Sequence, residues 1–247
     1  MSNTNKRSIL LVLWLALLGG LFFAITHLSS RSADQPEREA TPHIAAATLE
    51  KRWPDIVANA AAPARGNPQA HYTLIEFGDF QCPQCGKARP ILEGLLKQAP
   101  DQVNLLFVHR PFADLHPWAL PAAEASEVAA AQGKFWPMYD TLYSHQVDLE
   151  SGYYGDYAAE AGLDRKSFQA DFDAHKYRDK VTQAAKLSDD LGIQLTPVLL
   201  IRDNRTGVIT PYVGMDSKAP GAPEGFLGIK QLAADPPWRS APKTARK

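Results

Sequence analysis

The residues best suited to chemistry are the chain's two cysteines, Cys82 and Cys85, three positions apart in Gln81-Cys82-Pro83-Gln84-Cys85-Gly86. Sulfur at this spacing can serve three ends. A structural zinc site needs about four ligands. The rest would have to come from His43, His71, His109, His116, His145 or His175, none of which forms a close His-x3-His pair. A purely structural disulfide closing so short a loop constrains the unfolded chain little, because the entropic gain grows with loop length. The third end is thiol-disulfide exchange, and position favours it. Tyr72 to Phe77 (YTLIEF) reads as a buried strand running into the pair, and Ile91, Leu92, Leu95 and Leu96 mark a helix that follows it towards Pro100. A cysteine at a helix N-terminus faces unpaired N–H groups and the positive end of the helix dipole, both of which favour thiolate. Cys82 is therefore the expected reactive sulfur. Cys85, one turn on, is placed beneath it to resolve a mixed disulfide.

Other elements must hold that junction in place. Val103 to His109 (VNLLFVH) reads as a second strand, so the order strand, helix, strand suggests a βαβ unit with parallel pairing. Leu115 to Leu191 is Ala-rich and helical in pattern, punctuated by prolines and glycines, with Asp164 a candidate N-cap. Val198 to Ile201, the turn-rich Asp203 to Gly207 and Val208 to Val213 predict a β-hairpin. Phe226 to Ala234 reads as a final helix, and 236–247 as a flexible tail. No internal repeat is present.

The chain's 247 residues carry a formal net charge of −1, with no basic excess to hold a polyanion, so nucleic acid is excluded as a first choice of partner. The N-terminus differs from the rest. Ile9 to Ile25 is unbroken apolar sequence, extending through Leu28 to 20 residues, enough for about 30 Å of helix. Lys6 and Arg7 precede it and no acidic residue does, which predicts an N-terminus in the cytoplasm and a body across the membrane. A cleaved signal segment is the competing reading of 1–28, and it gives the same compartment. All 27 acidic residues and all basic ones except Lys6 and Arg7 lie beyond this run, so the exported part is mildly acidic. Residues 29–62 read as a linker and approach segment, with a short helix over 46–60 interrupted at Pro54.

The surroundings of the pair carry a resemblance. Glu76-Phe77-Gly78-Asp79-Phe80-Gln81 leads into it, Pro90 follows, and His116-Pro117, Gln132-Gly133-Lys134-Phe135-Trp136 and Leu195-Thr196-Pro197-Val198 lie further on. Together these resemble the DsbA-like thiol-disulfide oxidoreductases of the thioredoxin superfamily, over roughly Pro63 to Ala234. The resemblance implies an α/β thioredoxin-like fold with an inserted all-helical subdomain, here preceded by one N-terminal transmembrane helix. The first thioredoxin-fold part would be 63–112, the insertion 113–189 and the second part 190–235. It further implies that Cys82 attacks and Cys85 resolves, and that Pro197, after Thr196, is the family's cis-proline and binds substrate through the preceding backbone. Glu76 would be the acid beneath the site that relays protons, with an ordinary exposed strand residue as the bland alternative. Pro90 would kink the active-site helix. No cofactor or metal is implied.

Pro83 and Gln84 tune the direction of exchange. Strong oxidases of the family carry Pro-His between the cysteines; Gln84 is a neutral amide that can donate a hydrogen bond but cannot ionise. Related isomerases usually carry an N-terminal dimerisation domain, for which 29–62 is too short, so the expectation is a monomeric dithiol oxidase. Its clients would be reduced or unfolded exported proteins, and its reoxidant a quinone-coupled membrane protein. The alternatives are a reductase or isomerase kept reduced by a membrane electron donor, and a non-catalytic chaperone-like or copper-handling module. Lys87 and Arg89 could add positive potential near Cys82 or point into solvent. Phe135, Trp136, Met138, Tyr139, Leu142 and Tyr143 have the spacing of a helical core, and His116 that of a turn or packing residue.

Overall fold

The apolar runs on either side of the cysteine pair become the two central strands. In the computed structural model, which describes residues 46–215 and 227–239, these are β2 (Tyr72–Gly78) and β3 (Val103–His109). All seven residues of each are buried, because layers cover the sheet on both faces, and that is why they read as continuous apolar runs rather than alternating ones. They pair in parallel, with Glu76 opposite Phe107 and Gly78 opposite His109. On the other side β2 pairs antiparallel with β4 (Val198–Asp203), which forms a hairpin with β5 (Ile209–Val213). Gly207, at φ 81°, supplies the left-handed residue of the connecting turn. The two-residue β1 (Arg65–Gly66) pairs antiparallel with β3 and completes the sheet order β1-β3-β2-β4-β5.

α1 (Ala46–Ala58) lays Leu49 and Ile56 against Ile75, Phe77, Leu106 and Val108 on one face of the sheet. The other face packs Leu92 and Leu95 of α2 (Pro83–Gln98) and Ile229 and Leu232 of α8 (Ile229–Ala234) against Leu74, Leu105, Leu199 and Ile201. Between β3 and β4 run α3 (Ala119–Ala131), α4 (Phe135–Ser144), a 3-10 turn at Gln146–Ser151, α5 (Tyr154–Glu160), α6 (Arg165–Asp173) and α7 (Arg178–Asp190). Asp164 caps α6, its carboxylate accepting the Ser167 N–H at 2.8 Å. α3 buries nine residues and has no polar stripe, since neighbours pack around it.

Pro54 does not interrupt the first helix: α1 runs through it, because burial of Leu49 and Ile56 outweighs the one missing N–H bond. The start of the expected tail is held, Trp238 being buried with its ring 5.5 Å from that of Tyr72. The expected membrane helix over Ile9–Leu28, the linker to residue 45, Phe226 and the tail from 240 lie outside the described residues. Among those described, no helix is long and apolar enough to cross a membrane.

Candidate active site

Cys82 is the N-cap of α2, with extended φ −68° and ψ 118°, and Pro83 follows as the first helical residue. A proline is suited to that place because its missing N–H would have no helical partner there. Both cysteines are free thiols in this structure. Cys82 is held well below the usual thiol range, at about 6. Its largest stabiliser is the Cys85 side chain, which donates to the Cys82 sulfur; burial opposes this, and the Thr196 side chain and the N–H groups of Cys85 and Gln84 add to it. Those N–H groups belong to the first turn of α2, so the helix N-terminus acts directly on the sulfur. The Cys82 sulfur lies 3.5 Å from the Thr196 carbonyl, to which the thiol donates. The Thr196–Pro197 bond is cis. The loop leading into β4 thus faces the cysteine pair, 114 residues away in sequence.

Cys85 is fully buried, and its thiol is pushed well above the usual range, first by burial and then by Cys82 and the charge of Glu76; the Asp79 backbone pulls the other way. Glu76 is also fully buried, on β2. Burial raises its carboxyl from 4.5 to about 8, against the hydrogen bond from Tyr139 and with the charge of Cys82. Tyr139 donates its hydroxyl to Glu76 Oε2 at 2.9 Å, whereas Oε1 has no hydrogen-bond partner. The site therefore has one sulfur poised as thiolate, one kept as thiol, and an acid whose proton is exchangeable near neutral pH.

The turn around the pair is tied down by Asp79, Gln81 and His116, which carry the resemblance in the sequence without a stated functional role, and by Gln146, which the sequence analysis does not name. Asp79 is buried and accepts four bonds: from the Gln81 and Cys82 N–H groups at Oδ1, and from the Phe112 N–H and His116 Nδ1 at Oδ2. His116 is thus a ligand of the active-site turn, its Nδ1 2.7 Å from Asp79. Gln81 Oε1 accepts the Trp118 N–H at 2.7 Å. Gln146, in the 3-10 turn, donates to the carbonyls of Phe80 and Cys82 at 2.8 and 3.0 Å. A Cβ on Gly86 would run into the Gln146 side-chain carbonyl. Gly86→Ala is accordingly expected to dislodge that side chain and cost about 1–2 kcal/mol. The cost should shrink in a Gln146→Ala background, as comparison of the four urea midpoints would read.

Pro83 and Gln84 are exposed. Arg89 adds no free charge near Cys82, since it pairs with Glu93 and Asp140 at 3.1 and 3.3 Å. Phe135, Met138, Tyr139, Leu142 and Tyr143 form a buried cluster with Phe80, Phe107 and both cysteines, so the aromatic helix of the insertion packs directly on the redox site. Two buried glutamates on α3 escaped the sequence reading. Glu124 is held by His175 and Arg178, each at 2.7 Å, and Glu127 by His109 at 3.0 Å and Lys180 at 2.6 Å. Spacing i, i+3 within an Ala-rich helix was their only signal.

Comparison with known proteins agrees with this geometry. The family model described as Thioredoxin matches residues 58–212. A thioredoxin-like oxidoreductase from Silicibacter pomeroyi superposes with a TM-score of 0.56 at 27% identity, over 73% of this chain and 94% of its own. The thiol-disulfide exchange protein α-DsbA2 from Wolbachia pipientis gives 0.57 at 20% identity, over 68% and 87% of the two chains. BdbD from Bacillus subtilis gives 0.52 at 24% identity, over 58% and 83%. Among curated proteins, the Na(+)/H(+) antiporter NhaA 1 of Mycolicibacterium gilvum is 37% identical over 143 residues, which is 57% of this chain and 23% of the antiporter. The similarity thus spans about a quarter of that relative's length. With the matched family covering most of the described residues, the cysteine pair among them, the chain belongs to the thioredoxin family.

Proposed function

We propose that the protein works as a dithiol oxidase, giving its Cys82–Cys85 disulfide to cysteine pairs of exported proteins. The observation that carries this direction is the set of donors converging on the Cys82 sulfur, which lowers its thiol to about 6. Whatever stabilises the thiolate stabilises the reduced form, and a pair that prefers to be reduced gives its disulfide away. In the oxidised protein a client thiolate attacks the Cys82 sulfur. The Cys82–Cys85 bond breaks, and Cys85 leaves with the electron pair and takes a proton from Glu76. A second client thiolate then attacks the client sulfur of the mixed disulfide, and Cys82 leaves as the stabilised thiolate. The client has lost two electrons and two protons. One proton ends on Cys85, through Glu76, and the other in solvent. The Thr196 backbone, lying against Cys82, is placed to bind the client as an extended strand.

The compartment follows from the sequence. The apolar run Ile9–Leu28 behind Lys6 and Arg7 supports a single-pass inner-membrane anchor with the catalytic part outside the cytoplasm. A quinone-coupled membrane protein is the fitting reoxidant. The domain limits follow the same division, with 63–112 and 190–235 carrying the site and 113–189 covering it.

The test is the reduction potential of the pair, measured by equilibrating residues 29–247 against glutathione buffers, together with the ultraviolet absorbance of the thiolate as pH is lowered. An oxidase is expected to show a potential towards roughly −120 mV and a thiolate that disappears with a midpoint near 6. A potential near about −270 mV would overturn the proposed direction in favour of a reductase.

A further inference from the structure

Three polar atoms sit in or against the buried cluster around Cys85: Glu76 Oε1 and the Tyr143 hydroxyl, neither of which has a hydrogen-bond partner, and the Tyr139 hydroxyl, which is committed to Glu76 Oε2 at 2.9 Å. Leaving one carboxylate oxygen buried and unpaired costs free energy, as the other partnered groups around it do not. The ring of Tyr139 cannot swing to serve both oxygens. It is wedged between Phe80, Phe107 and Tyr143, with centroids 5.9, 5.4 and 4.8 Å away, and is flanked by Trp136 at 5.3 Å. Its hydroxyl therefore points at a fixed place, and the carboxylate is turned by it.

We propose that Tyr139, contributed by the helical insertion, is a positioning residue that grips Glu76 by Oε2 and so reserves Oε1 as the atom that exchanges a proton with Cys85. The inference rests on the reading of Glu76 as the proton partner of Cys85. Other groups around Glu76 are accounted for. From α2 come Cys82 and Cys85, and from α4 come Tyr139 and Tyr143, whose phenols burial keeps protonated. Asp140 is occupied by Arg65 and Arg89. Asp79, beyond the end of β2, is held by His116, and His109 on β3 is engaged with Glu127. β4 brings only the apolar Leu199 opposite Glu76. A donor aimed at the carboxylate favours its charged form, so Tyr139 also sets the pH at which Glu76 can accept a proton.

In the reducing direction the step reads as follows. The Cys85 thiol gives its proton to Glu76 Oε1, its sulfur attacks the Cys82 sulfur of a mixed disulfide, the Cys82–client bond breaks, and the client leaves as thiolate. This is observable with the full chain, reduced and mixed with dithionitrobenzoate. The first thionitrobenzoate is released by Cys82 attack, and the second by Cys85 as the Cys82–Cys85 disulfide closes. The rate of the second release is followed against pH.

Tyr139→Phe keeps the ring and removes only the hydroxyl. It is expected to move the midpoint of the second release up by about one pH unit, slowing it about tenfold below the midpoint, and to leave the first release unchanged. Glu76→Gln should abolish the pH step, and adding Tyr139→Phe to it should change nothing more. Tyr143→Phe, which removes a neighbouring hydroxyl without a bond to Glu76, should leave the midpoint in place. An unmoved midpoint in Tyr139→Phe, with the step lost in Glu76→Gln, would overturn the proposal and reduce Tyr139 to packing. Equal shifts in the two tyrosine variants would overturn it as well. A pH step that survives Glu76→Gln would instead overturn the underlying role of Glu76, and the inference with it.

Discussion

Cys85→Ala is expected to convert the protein from a catalyst into a trap. Cys82 can still attack a disulfide, but nothing stands behind it to release the product, so the mixed disulfide should accumulate and be visible as an adduct by mass spectrometry. Turnover should fall by at least about a thousandfold, because an adjacent, oriented nucleophile acts at an effective concentration that free thiols in solution do not reach. The same substitution removes the largest stabiliser of the Cys82 thiolate, so the thiolate midpoint should rise from about 6. Cys82→Ala should behave differently. Cys85 is fully buried with its thiol raised, so the remaining sulfur should resist iodoacetamide in the folded protein and react only on unfolding. Rapid alkylation of folded Cys82→Ala would mean that the two sulfurs do not divide the labour in this way.

The second large effect concerns stability. Glu76 holds its proton to about 8 in the folded protein, against 4.5 for a free carboxyl. Between those values the folded state retains a proton that the unfolded chain has lost, so stability falls as pH rises, and the loss is complete above about 8. A shift of this size corresponds to several kcal/mol. Cys82 acts in the opposite sense in the reduced protein. Its thiol is lowered from 9.0 to about 6, so it contributes stability above 9 that is lost as pH falls through 6. Glu76→Gln removes the first effect and leaves most of the second. It is expected to unfold at a higher urea concentration than the wild type at pH 9 and at a similar one at pH 5, while exchanging disulfides more slowly. Parallel pH profiles for the two proteins would show that Glu76 ionises freely in the fold.

The strands and the sulfurs were legible because their signals are local. YTLIEF and VNLLFVH read as buried strands, and each lies within one strand of the structure, β2 and β3. Cys82, Pro83 and Cys85 declare a helix start within four residues. What stayed hidden was set by contacts between distant segments. Asp79 and His116 each look like ordinary turn residues, and only the fold brings them to 2.7 Å. Tyr139 read correctly as core, yet periodicity says which face of a helix is buried and nothing about which polar atom the buried face meets. Gln146 lies 64 residues from the carbonyl of Cys82 that it holds. Pro54 misled because helix propensity is a weak prior that an apolar face can override.

The sheet order also has a consequence for synthesis. β2 is covered on one side by β3, made soon after it, but its other neighbour, β4, begins 120 residues beyond the end of β2. At roughly 5–20 residues per second, a ribosome takes about 6–24 s to make that interval. Throughout it one edge of the central strand is open, and Thr196, which lies over Cys82 in the finished fold, does not yet exist. The nascent chain therefore presents its reactive sulfur uncovered, beside an unpaired strand, before it can control what that sulfur meets. The pair that the finished fold shields thus passes through a stage in which it is itself open to mispairing by thiol–disulfide exchange.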